Sequence, residues 1–77
     1  MRNRNITQKN LYLILPGKVS KVAVMYANEF GLSIIDALTA IYSSEFYRRL
    51  EDESSKLWHY GPVALYEEFL ESRAKSS

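Results

Sequence analysis

The residues able to do chemistry in this chain are few, and they crowd into one short stretch. Glu51-Asp52-Glu53 is followed by Ser54 and Ser55, and His59 stands beside Tyr60. A histidine near two serines suggests general-base activation of a hydroxyl. That chemistry needs hydrogen-bond reach, an orienting partner and a substrate pocket. Proximity in sequence provides none of these, and a chain of 77 residues has little room for a cleft of about 300 Å³ or more. Cysteine is absent and His59 is the single histidine. A thiolate nucleophile, a disulfide framework, a cysteine zinc site and a multi-histidine centre are therefore excluded. The three acids could attract a hard cation, but they lack the alternating ligands and central glycine of a calcium loop. Helix capping and solvation account for them more simply. The expectation is a non-enzyme with no catalytic, metal or cofactor-binding residues.

Nucleic-acid chemistry is the next possibility. Ala27, then Gly31-Leu32-Ser33, is the spelling of a helix-turn-helix corner. The helix after it would be Ile34 to Tyr42, which holds no Arg, Lys, Asn or Gln to bond a base edge or a phosphate. An antiparallel helix pair turned by glycine is the better reading. A basic segment is the other resource. Arg2, Arg4, Lys9, Lys18 and Lys21 fall within residues 1–21, which contain no acid. The remainder has more acids than bases, so the net charge of +1 hides a dipolar chain. The arm could lie along phosphates, although so few charges bind weakly at physiological salt. A small nucleic-acid-associated protein is thus the alternative reading.

The elements that must position these residues are helical. Thr7 to Leu15 is ambiguous. Thr7 could cap a short helix through Leu11 and Leu15, or the Leu-Tyr-Leu-Ile-Leu run could be extended, because Pro16 disfavours the α region at Leu15. Pro16 suits the first turn of a helix. From there Val19, Val22, Ala23, Tyr26, Ala27 and Phe30 recur on one helical face. Gly31 stops that helix, and Leu32 can fold back on it. Ser33 and Asp36 form a capping box for a second helix, whose apolar stripe is Ile34, Ile35, Leu38, Ile41 and Tyr42. Ser44 caps a third, with Phe46, Tyr47 and Leu50 inward. Asp52 caps a single turn that tucks Leu57 and Trp58 into the core. Pro62 opens the last helix, with Leu65, Tyr66, Phe69 and Leu70 inward and Glu67, Glu68 and Glu71 outward. No strand pattern or hairpin turn occurs. The chain reads as one all-α domain, residues 1–77, a bundle of three to four short helices with mobile tails at 1–5 and 73–77.

A bundle this small gains little net stability from its own core, about 3–5 kcal/mol at most. Its apolar residues nevertheless exceed what that core can take. Val24 and Met25 lie off the inward face of the main helix, and Tyr12 and Leu13 precede the Pro16 break. Six tyrosines are too many to bury with every hydroxyl satisfied. The expected function is therefore a protein-interaction module that binds a partner protein or itself as a homo-oligomer. The expected contact residues are Tyr12, Leu13, Lys21, Val24 and Met25. The longest apolar runs, Leu11–Leu15 and Val22–Tyr26, are far short of the roughly 20 residues that span a bilayer. No membrane association is expected, and a cytoplasmic address is the default.

The string from Phe30 to Phe69 also carries a resemblance. It contains Leu32-Ser33, Asp36-Ala37-Leu38, Ile41-Tyr42-Ser43-Ser44, Leu50-Glu51-Asp52-Glu53, Lys56-Leu57-Trp58, and Pro62 with Leu65-Tyr66. This resembles a family of small all-helical bacterial proteins known only as a domain of unknown function. The resemblance implies a bacterial accessory protein of a small gene cluster. It brings no catalytic residues with it and favours partner binding.

Overall fold

Local capping signals divide the chain where the sequence places them. In the computed structural model, which describes residues 7–76, four α-helices form in order: α1 (Leu15–Phe30), α2 (Ile34–Tyr42), α3 (Glu45–Leu50) and α4 (Pro62–Ser76). Gly31 adopts the left-handed conformation at φ 66°, and the Leu32 N–H donates to the Ala27 carbonyl, closing a Schellman-type turn. Ser33 Oγ accepts from the Asp36 N–H at 3.0 Å, and Ser44 Oγ from the Tyr47 N–H at 3.1 Å. Asp52 Oδ1 accepts from the Ser54 N–H at 3.0 Å and opens a 3₁₀ turn, Glu53–Ser55. A second such turn, Leu57–His59, follows. No strand occurs among the described residues, so the all-α bundle stands.

The segment before α1 is neither a helix from Thr7 nor extended. It is a tight turn followed by one 3₁₀ turn, Leu11–Leu13. Gln8 explains this. Its side-chain amide donates to the Glu51 carbonyl at 2.8 Å and accepts from the Glu53 N–H at 2.8 Å. Those two bonds pin the segment to the loop after α3, while Leu11 sinks into the core.

The core draws on every helix. Leu15, Val19, Val22, Ala23 and Tyr26 from α1 meet Ala37 and Ile41, Phe46 and Leu50, Leu57, and Leu65 and Phe69. Tyr26 and Phe46 both lie edge-on to Phe69, with centroids at 4.9 and 5.6 Å. Four residues expected inside are instead on the surface: Phe30 is 54% exposed, Ile34 45%, Ile35 66% and Tyr42 48%. The reason is the geometry of the α1–α2 corner. Small Ala37 lets the helices approach closely, so Ala37 and Ile41 become the buried stripe of α2. Phe30 ends α1 and Tyr42 ends α2, and each has mainly a neighbouring ring for company, Tyr26 at 5.2 Å and Tyr47 at 4.9 Å. The C-terminal tail is also shorter than expected. Residues 73–76 continue α4, and the Arg73 guanidinium lies over the Tyr26 and Phe69 rings at 5.5 and 5.8 Å. The proposed tail at 1–5 lies outside the described residues, as does Ser77.

Trp58 is half-buried against the core, and its indole N–H donates to the Glu53 carbonyl at 2.8 Å. It anchors the loop between α3 and α4. Trp58→Phe is expected to lose about 1 kcal/mol for that bond, and Trp58→Ala about 3 kcal/mol with the ring contact as well. Urea unfolding of both variants checks the split.

Candidate functional site

The serine hydroxyls beside the acidic run bond locally, within their own turn and to the end of α3. Ser54 Oγ donates to Asp52 Oδ1, and Ser55 Oγ donates to the carbonyls of Arg49 and Asp52. Both hydroxyls shape the turn. Glu53 pairs with Lys56 at 2.6 Å, where Lys56 holds a left-handed φ of 62° between the two 3₁₀ turns. His59 is exposed and flanked by the rings of Trp58 and Tyr60. Among the described residues no group of three or more acids, histidines or cysteines could hold a metal ion.

The concave surface lies elsewhere, on the outer side of α1. One side of this helix is spent on the core. The other carries Gly17, Ser20, Lys21, Val24 and Met25, spaced at i, i+3, i+4, i+7 and i+8. With Pro62 from the start of α4 they line a solvent-open groove of about 510 Å³, so the expectation that so short a chain has little room for a cleft of that size does not hold. Its walls are mostly carbon, with Val24 half-exposed and Met25 half-buried. A smaller depression continues it toward the N-terminus, sharing Gly17, Lys21 and Pro62 and adding Ile14 and Lys18. A Cβ added at Gly17 would meet nothing within 4 Å, so a larger side chain there has room to enter the groove.

Side-chain contacts tie α1 to α4 and to the loop before it. Lys18 Nζ donates to the Tyr60 carbonyl at 3.0 Å, Met25 and Pro62 line the groove together, and Tyr66 donates its hydroxyl to Glu29. These contacts, with Tyr26 packed on Phe69, hold α4 against α1 beside the groove. Burial lowers the pKa of Lys18, and the positive charge of Lys21 adds to the effect. Lys21 has no ion pair among the described residues.

Of the expected contact residues, the structure brings Lys21, Val24 and Met25 together in the groove. Tyr12 and Leu13 lie on the 3₁₀ turn before it, 66% and 67% exposed, and do not line it. Sequence reasoning missed Gly17, Ser20 and Pro62, and no local pattern marks them as part of a surface. No family model matches the chain, and no curated protein or solved structure does either. No helix among the described residues is long and apolar enough to cross a membrane.

The Tyr66–Glu29 bond ties α4 to the C-terminal end of α1. Burial first, then the hydrogen bond and the Glu29 charge, push the Tyr66 hydroxyl up to about 12 from the usual 10.0. A phenol whose pKa rises on folding stabilises the fold fully below its unfolded pKa. That contribution is lost as pH rises from 10.0 through about 12. Tyr66→Phe is expected to flatten the fall in stability across this window, measured as melting temperature against pH.

Proposed function

We propose that this chain is a non-enzymatic protein-interaction module that docks a partner protein or a second copy of itself on the outer face of α1. The observation that carries the reading is the groove itself. It is open, largely apolar, and built on the helix whose opposite side forms the core. A hydrophobic floor with a polar rim is the usual anatomy of a protein contact. The resemblance to small bacterial helical proteins agrees with an accessory, partner-binding role. The nucleic-acid alternative leans on Arg2 and Arg4, outside the described residues, while Lys18 already hydrogen-bonds to Tyr60.

A thiol reporter tests occupancy whatever the occupant is, because the chain has no cysteine of its own. Val24→Cys should react with a maleimide fast in dilute solution and several-fold more slowly when concentrated or in extract of the native host. Ile35→Cys, on the far corner of α1 and α2, should react equally in all three. Adding Gly17→Leu should fill the groove and remove the protection, while a better helix former at an open position leaves the fold intact. Equal reactivity of Val24→Cys in every condition contradicts the reading.

A further inference from the structure

The two depressions on α1 form one track with unlike ends. They share Gly17, Lys21 and Pro62. Toward the C-terminus of α1 the wall is the apolar pair Val24 and Met25. Toward its N-terminus the wall adds Ile14 and Lys18. That end therefore holds two ammonium groups, and neither depression has an acid in its wall. Lys18 Nζ gives one of its three donors to the Tyr60 carbonyl, and Lys21 makes no ion pair among the described residues. α1 supplies no carboxylate nearby. Glu29 is the first acid in the sequence, about two turns beyond Lys21, and it accepts the Tyr66 hydroxyl.

An occupant has to match both ends. An apolar side chain fits the space between Val24, Met25 and Pro62, where it takes carbon out of water. A carboxylate answers the two lysines and offsets the repulsion that Lys21 exerts on Lys18. Resting on the docking function proposed above, we infer that the occupant is an acidic amphipathic segment of another protein, with a carboxylate against Lys18 and Lys21 and an apolar side chain between Val24, Met25 and Pro62. The spacing follows from α1 itself. Lys21 lies four residues before Met25, about 6 Å along the helix. A partner helix spans the same distance between an acid and an apolar residue three or four positions apart. A nucleic acid would match one end only. Two lysines neutralise few phosphates, and no aromatic ring lines the track for a base to stack on.

A random peptide library displayed on phage and selected on the full chain reads the chemistry of the occupant directly. The peptides that count are those whose binding is lost with Gly17→Leu, which fills the groove. They should carry Asp or Glu three or four positions from Leu, Met or Phe. Lys21→Glu should weaken the best of them, made synthetically, at least about tenfold. Selection on the Lys21→Glu variant should enrich Lys or Arg in place of the acid. Ile35→Glu should leave binding unchanged, and circular dichroism should report the same helix content throughout. Groove-dependent peptides with no acid in common, or an affinity that Lys21→Glu leaves unchanged, would overturn the acidic occupant while upholding docking. A single-stranded oligonucleotide that displaces the peptide at physiological salt would overturn the choice of a protein. A library that yields no groove-dependent peptide would overturn the inference as well. In that case, protection of Val24→Cys in concentrated solution would identify a second copy as the occupant, and equal reactivity in every condition would remove docking itself.

Discussion

Phe69→Ala is expected to cost about 3–5 kcal/mol, nearly all the stability a domain of this size can hold. Phe69 is fully buried where three helices meet: edge-on to Tyr26 of α1, edge-on to Phe46 of α3, and anchored on α4. Truncation removes both aromatic contacts and leaves a cavity whose walls belong to separate helices. It also removes one of the two rings beneath Arg73, which holds the last turn of α4. The chain should be largely unfolded at 25 °C by circular dichroism. Phe69→Leu, which refills most of the volume, should remain folded with a lower melting temperature. An unchanged melting temperature for Phe69→Ala would mean that the core is not centred on this residue.

The second large effect falls on association rather than folding. Val24→Glu with Met25→Glu places two carboxylates in the apolar groove where the proposed docking buries carbon. Burying unpaired charges against carbon and against each other should raise the dissociation constant at least about a hundredfold. The cost to the isolated fold is smaller, because Val24 is 49% exposed and only Met25 is half-buried. Part of the melting temperature should still be lost, since an associating chain draws stability from its partner. Thermal melts at several concentrations of a groove-binding peptide separate the contributions. The unmodified chain should melt higher as peptide concentration rises, and the double variant should not.

The helices were legible because their boundaries are set by local chemistry. Ser33, Ser44, Asp52, Gly31 and Pro62 each act within a few residues of themselves, and each acts in the structure as its type dictates. Where distant residues decide, the sequence was opaque. The turn before α1 depends on Gln8 reaching the backbone of Glu51 and Glu53, more than forty residues away. The α2 stripe misled for a related reason. Periodicity marks Ile34, Ile35 and Tyr42 as apolar and co-facial, but only the approach of α1 at Ala37 decides which side of a nine-residue helix is covered.

The candidate site was half legible by the same logic. Val24 and Met25 stand off the inward face of α1, which periodicity alone reveals, and Lys21 lies one turn before Met25. Pro62 joins them only because the start of α4 packs alongside α1, and no local pattern encodes that. Gly17, in the first turn of α1, lines the groove at a place where a side chain would meet open space, and nothing local to the sequence marks it as part of a surface.

The central claim is that α1 works on both sides, one in its own core and the other against a second chain. Burial of about 600–800 Å² per partner is the scale of a small specific interface, and it provides stability that a short chain lacks. The maleimide reactivity of Val24→Cys measures this most directly, because the chain has no other cysteine. The expected rate in extract of the native host is several-fold below the rate in dilute buffer, with Ile35→Cys unchanged. A Val24→Cys rate that is the same in dilute buffer, in concentrated solution and in extract would contradict the claim.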